Sequence, residues 1–248
     1  MSKRHQQQWE TLGETDPYWA VLTRPGGKND GWDRELFFDS GQREIAQVMS
    51  QLDELQCLPE RQHTALDFGC GVGRLSRPLA GQFDKVLAVD VAQSMLQEAR
   101  SANARWRNIE FVHNPRDDLQ FIDSTSVDFI YSNITLQHIP AAQQVRYLEE
   151  FCRVLAPGGV LVFQTPSAYA RNLQGLVSRA LGNRLMNLLR AIRYGAARVM
   201  EMHVLPRNLV ESVLQSRGLY LALAQRYDAA GTAFISYRYF ARFKERQP

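Results

Sequence analysis

Two acids and three glycines of this 248-residue chain stand where their types and spacing can do chemistry. Asp67-Phe-Gly-Cys-Gly-Val-Gly73 follows a short apolar run, Thr64 to Phe68, and precedes Leu75, Pro78, Leu79 and Ala80 at helical spacing. That is a strand, a glycine turn and the start of a helix. Backbone N–H groups converge on a ligand in such a turn. Glycine is wanted there for positive φ and for close approach of a ligand to the chain. The second acid, Asp90, ends the next apolar run, Lys85-Val-Leu-Ala-Val-Asp90, and lies 19 residues after Gly71. A doubly wound sheet places there the carboxylate that grips ribose hydroxyls. The dinucleotide pattern G-x-G-x-x-G fails, because the sixth position counted from Gly69 is Arg74.

The elements that must hold these residues alternate. Val86–Val89, Ile109–Val112, Val127–Tyr131 and Val160–Gln164 read as further strands, and Ser94–Asn103 and Ala141–Leu155 as helices between them. The loop 113–126 and the turn Ala156-Pro-Gly-Gly159 break the pattern. Strands alternating with helices of this length predict an α/β fold with a doubly wound, mostly parallel sheet. Pro206 opens a helix to Arg217, and Leu219–Tyr227 with Thr232–Phe243 reads as a closing antiparallel hairpin around Asp228-Ala-Ala-Gly231. Upstream, residues 1–15 read as a polar, frayed segment. Asp16 to Thr23 is aromatic and apolar, residues 24–31 form a loop, and Trp32–Phe38 and Gly41–Leu58 read as helices, with Ser40 capping the second. We therefore divide the chain into a helical N-terminal cap, residues 1–58, and a main domain, 59–248, with a helical insert at 168–204. In the insert, Leu173, Leu176, Val177, Leu181, Leu185, Leu188, Leu189 and Ile192 recur at threes and fours among six arginines and one acid, Glu201.

Composition narrows the function classes. A formal charge of +3 is too small to argue for nucleic acid. Cys57, Cys70 and Cys152 lie far apart without metal spacing and read as reduced thiols of a cytoplasmic protein. No apolar run is long enough to span a bilayer, and the start Met-Ser-Lys-Arg-His-Gln-Gln-Gln has no apolar core of a secretory signal. No internal repeat is present.

Four motifs in order resemble those of the class I, seven-stranded S-adenosylmethionine-dependent methyltransferases. They are Asp67-Phe-Gly-Cys-Gly-Val-Gly73, Val89-Asp-Val-Ala-Gln-Ser-Met95, Val127-Asp-Phe-Ile-Tyr-Ser132 with Leu136-Gln-His-Ile-Pro140, and Leu155-Ala-Pro-Gly-Gly-Val-Leu161. The resemblance covers roughly residues 40–243. It implies S-adenosylmethionine as cofactor, held by Asp67, Gly69, Cys70 and Gly71 at the methionine end, by Asp90 at the ribose, and by Val91 and Met95 at the adenine. Asn133, after the fourth strand, lies at the sheet edge where ligands bind. Relatives often carry Gly-Asp after the third strand to receive the adenine amino group. Here Asn114 and Pro115 take that register, and Asn114, Asp117 and Asp118 are the alternatives.

For the acceptor side the candidates are His138, Tyr18, Trp19, Glu201 and His203. His138 either takes a proton from the acceptor or holds the Ile139-Pro140 turn. Of Tyr18 and Trp19, one packs the extension and the other closes the pocket. Glu201 and His203 end the insert, which is expected as a lid with its apolar stripe on the sheet's carboxyl edge or on a second subunit. Its arginines suit an anionic acceptor. The expected activity is methyl transfer to an oxygen or nitrogen of a small molecule by a monomer or homodimer. The rivals are an RNA or protein methyltransferase, a non-catalytic cofactor-binding assembly protein, and a peripheral enzyme whose insert lies on anionic lipid.

Overall fold

The structure, a computed structural model, describes residues 3–23, 26–29, 31–194 and 200–243. Its centre is a seven-stranded sheet of β1 (Thr64–Phe68), β2 (Lys85–Asp90), β3 (Ile109–His113), β4 (Val127–Ser132), β5 (Leu155–Tyr169), β6 (Leu219–Arg226) and β7 (Phe234–Phe243). The order is β3-β2-β1-β4-β5-β7-β6, parallel throughout except for β7, which runs antiparallel to both neighbours. Order reverses between β1 and β4, so a crevice opens at their carboxyl ends.

Strands buried on both faces must be apolar at nearly every position. Leu66, Ile130, Leu161 and Phe163 pack on one face with Tyr147, Leu148 and Phe151 of α6 (Ala141–Val154) and Val210 and Leu214 of α8 (Arg207–Ser216). Ala65, Phe129, Tyr131, Val160 and Val162 pack on the other with Ile45, Val48 and Leu52 of α3 (Arg34–Glu54) and Leu79 of α4 (Ser76–Ala80). The helix α5 (Gln93–Ala102) follows β2.

Several expectations change. Residues 3–15 are not frayed. They form α1 (Lys3–Thr15), with Leu12 fully buried, and α2 (Pro17–Val21) follows directly. Instead of two helices, α3 is continuous and is capped by Asp33, whose carboxylate accepts from the Leu36 N–H at 3.0 Å. Ser40 is no cap: its hydroxyl donates back to the Phe37 carbonyl at 2.5 Å, within the helix. β5 is longer than expected and runs to Tyr169, because β7 pairs with it as far as Tyr169 and Phe234. The turn at 156–159 survives inside it as a register shift opposite Val127 and Phe129, with Gly158 at φ +76.

The insert contains α7 (Leu173–Tyr194), kinked at Gly182. Among the described residues its stripe is largely turned outward. Leu173, Leu176, Val177 and Leu185 are 76, 57, 39 and 43% exposed, whereas Gly175 and Ser178 are buried. Arg171 and Arg179 are exposed. Arg198 and the side chains of Arg184, Arg190 and Arg193 lie outside the described residues. The chain returns through Met202 and Leu205, both buried, to the short 3-10 turn Leu136–His138.

Candidate active site

The glycine turn between β1 and α4 places Gly69, Gly71 and Gly73 at φ +78, +52 and +80, a region closed to most side chains. Gly71 is also sterically fixed, since a methyl group built there would overlap the side chain of Val21 from the cap. Asp90 braces the turn. One carboxylate oxygen accepts from the Gly71 N–H and the other from the Ala92 N–H, both at 2.9 Å. Burial pushes the Asp90 carboxyl up, and these backbone donors offset only part of that rise. A carboxylate has about four acceptor sites, so two bonds leave Asp90 capacity for a diol.

Turn and brace open into a cleft with about 820 Å³ of empty space, open solvent included. Gly69, Cys70, Gly71, Asp90, Val91, Met95, Asn114, Asn133 and His138 all line it. Asp67 does not: it is 1% exposed and its carboxylate accepts from the Ser76 hydroxyl at 2.6 Å. Burial raises its pKa to about 7, although Ser76 and Arg74 oppose that rise. Asn114 lines the wall, but its side-chain oxygen accepts from the Arg116 N–H at 3.1 Å and its amide donates to the Asp118 carbonyl at 2.8 Å. Asp117 is paired with Arg146 instead, at 2.7 Å.

On the acceptor side the picture differs from expectation. Neither Tyr18 nor Trp19 belongs to the cavity lining. Both are buried in the cap core, where the Tyr18 hydroxyl donates to Glu98 at 2.6 Å. Their neighbours Ala20 and Val21 line the cavity, as do His5 and Trp9 of α1. Sequence reasoning passed over the last two, yet His5, Trp9 and Leu12 at i, i+4 and i+7 carry the stripe of a docked helix. Burial is the larger influence on His5 and lowers its pKa to about 4, with Glu201 opposing and His203 adding to the effect.

His138 is held on several sides. Its Nδ1 lies 2.8 Å from the Glu201 carbonyl, which can only accept, so Nδ1 carries the proton. The Gln137 amide then donates to Nε2 at 3.1 Å, and Trp9 meets the ring edge to face at 5.1 Å. Gln137 is itself fixed by Gln164, whose amide donates to it at 3.1 Å and to Ser236 at 2.6 Å. Glu201 and His203 flank this turn without lining the cavity: the His203 N–H donates to the Gln137 carbonyl at 2.8 Å.

Ile134, which also lines the cavity, adopts φ +59, strained for a β-branched residue, with its N–H donating to Gln164 at 3.0 Å. Beneath it Glu44 accepts from Arg74 at 2.8 Å, Tyr131 at 2.7 Å and the Asn133 amide. Burial alone would raise the Glu44 carboxyl, but Arg74, Tyr131 and Arg238 outweigh it and hold the group below the ordinary range.

This sheet order, with its glycine turn and braced acid at the switch point, is the Rossmann-like fold of class I methyltransferases. Residues 65–159 match the family described as methyltransferase domain. Over 103 residues the chain is 35% identical to a carboxy-S-adenosyl-L-methionine synthase of Psychrobacter arcticus, and over 124 residues 36% identical to a malonyl-[acyl-carrier protein] O-methyltransferase of Xylella fastidiosa. These matches cover 39 and 49% of this chain but only 38 and 40% of those relatives. In fold it is similar to the magnesium protoporphyrin IX methyltransferase of Synechocystis, solved with bound SAH, at TM-score 0.62 and 18% identity over 96% of this chain and 98% of that one.

Proposed function

We propose that the chain transfers a methyl group from S-adenosylmethionine to an oxygen or nitrogen of a small-molecule acceptor. The observation that carries this reading is Asp90, which braces the Gly71 turn while keeping acceptor capacity toward the cavity. Asp90 would take the ribose diol, Met95 and Val91 the adenine, and Gly69 with Asn133 the methionine end. Asp67 acts from behind, through the turn. The cofactor supplies a methyl group on a sulfonium, a good leaving group. What remains for the protein is alignment and exclusion of water, which can supply much of the rate.

The acceptor end is apolar and aromatic. Trp9, Ala20, Val21 and Ile139 form it with two histidines, and the lining cation Arg74 is already paired with Glu44. That composition favours an acceptor with an apolar body over the anionic one suggested by the insert. Its proton leaves to water, since both His138 ring nitrogens are engaged. The three buried cysteines are free thiols, which suits a reducing, cytoplasmic setting.

Calorimetry with S-adenosylhomocysteine tests the assignment. Asp90→Ala should weaken binding by about 1.5–3 kcal/mol, roughly 10- to 150-fold. Unchanged affinity would remove Asp90 from the cofactor site. Conversion of S-adenosylmethionine to S-adenosylhomocysteine, with mass spectrometry of co-purified small molecules, then identifies the acceptor.

A further inference from the structure

We infer that α7 is a docking helix for an anionic lipid surface. The observation is one of orientation. An amphipathic helix on a globular body normally turns its leucines inward. Here Gly175 and Ser178 face the body, while Leu173, Leu176 and Val177, at i, i+3 and i+4, face out. The close seat requires a glycine, because a methyl group at Gly175 would overlap the backbone of Ala170. The helix start is tied to the β6–β7 turn by Asn172, whose amide donates to the Thr232 carbonyl at 2.7 Å, and by the Thr232 hydroxyl, which donates to Gln174. The outward face is therefore built in by specific contacts.

Charge selects the occupant. Residues 168–204 carry six arginines against Glu201, and Arg171 and Arg179 are exposed near the leucine row. Apolar side chains bordered by guanidinium groups match the boundary between acyl chains and anionic headgroups. A second copy fits less well, since a two-fold axis through this face would set arginines against arginines with one acid per chain to offset them. A lid fails on geometry, because the described apolar row points away from the body.

The test uses the full chain and needs no cofactor. Co-sedimentation with vesicles of phosphatidylcholine and phosphatidylglycerol should exceed that with pure phosphatidylcholine by about tenfold or more, and should fall as salt is raised. Leu176→Glu with Val177→Glu should lose about tenfold or more of that binding while circular dichroism and melting temperature stay at the parent values. Arg171→Glu with Arg179→Glu should lose the preference for phosphatidylglycerol. Absent vesicle binding, equal binding to both compositions, or binding unchanged in the leucine-row variant would each overturn the inference. So would a dimer, seen by light scattering, that the leucine-row variant splits while vesicles go unbound.

Discussion

Asp67 shows that a residue can support a cavity without lining it. The sequence left it either to cap the glycine turn or to order the methionine end of a cofactor, and the side chain is buried behind the turn, bonded to Ser76, with a pKa near 7. The folded state holds its proton at pH values where the unfolded chain has lost it. Stability from this group is therefore full below about pH 4 and is lost as pH rises toward 7, at most about 4 kcal/mol. Asp67→Asn keeps an acceptor for Ser76 and removes that slope. It should raise the melting temperature at pH 8, with the gain shrinking toward pH 5. His138 carries the opposite lesson. Both ring nitrogens are engaged, so His138→Ala should slow turnover only about tenfold and leave the pH profile of kcat unchanged, through the loss of packing beneath Trp9. A drop of about 10²–10⁴ with loss of the acidic limb would instead make it the general base. The lining roles of Gly71, Asp90 and Asn133 were legible because local spacing alone puts them at strand ends. The partners of Asp67 and His138 were not, since Ser76, Gln137 and Glu201 arrive by packing.

Among the elements, α1 departs most from the sequence reading. Its residues are polar, and propensity said little. What holds it is Glu10, whose carboxylate accepts from the Gln93 and Ser94 N–H groups at 2.7 and 2.9 Å. α5 has no side-chain cap of its own, so α1 supplies one across space, where a negative charge also complements the helix dipole. Glu10→Ala should cost about 1–2 kcal/mol. Amides of α1 should then exchange faster, and affinity for S-adenosylhomocysteine should fall several-fold as His5 and Trp9 lose their seat. An unchanged exchange pattern would show that Leu12 and the surrounding core suffice. The break expected at Ser40 failed for a related reason. A serine read as a cap can bond back into its own helix, and α3 must continue to bring Glu44 under the turn.

At the scale of the whole molecule, Glu44 joins four elements. It binds Arg74 beside the glycine turn, Tyr131 and Asn133 at the end of β4, and Arg238 of β7 at 3.5 Å. Removing it leaves two guanidinium groups buried at 4 and 3% side-chain exposure with no carboxylate between them. Glu44→Ala should therefore cost about 3–5 kcal/mol in urea unfolding. Because its carboxyl titrates low, the contribution is present above the ordinary carboxylate range and lost as pH falls below it, opposite in sign to Asp67. The parallel sheet and the closing hairpin were legible from alternation and from apolar runs. This charge network was not, because its members are separated by up to 194 positions and meet only after the sheet has formed.

The lining of the cavity by α1 also bears on timing. His5 and Trp9 line the same cavity as Asp90, so under the proposed chemistry a loosened α1 would widen the way out for the spent cofactor. Under the proposed chemistry, the energy that seats this helix sets the dwell time of product. A tighter clasp would sharpen affinity and slow each cycle, and acid, by charging His5, would shorten the wait.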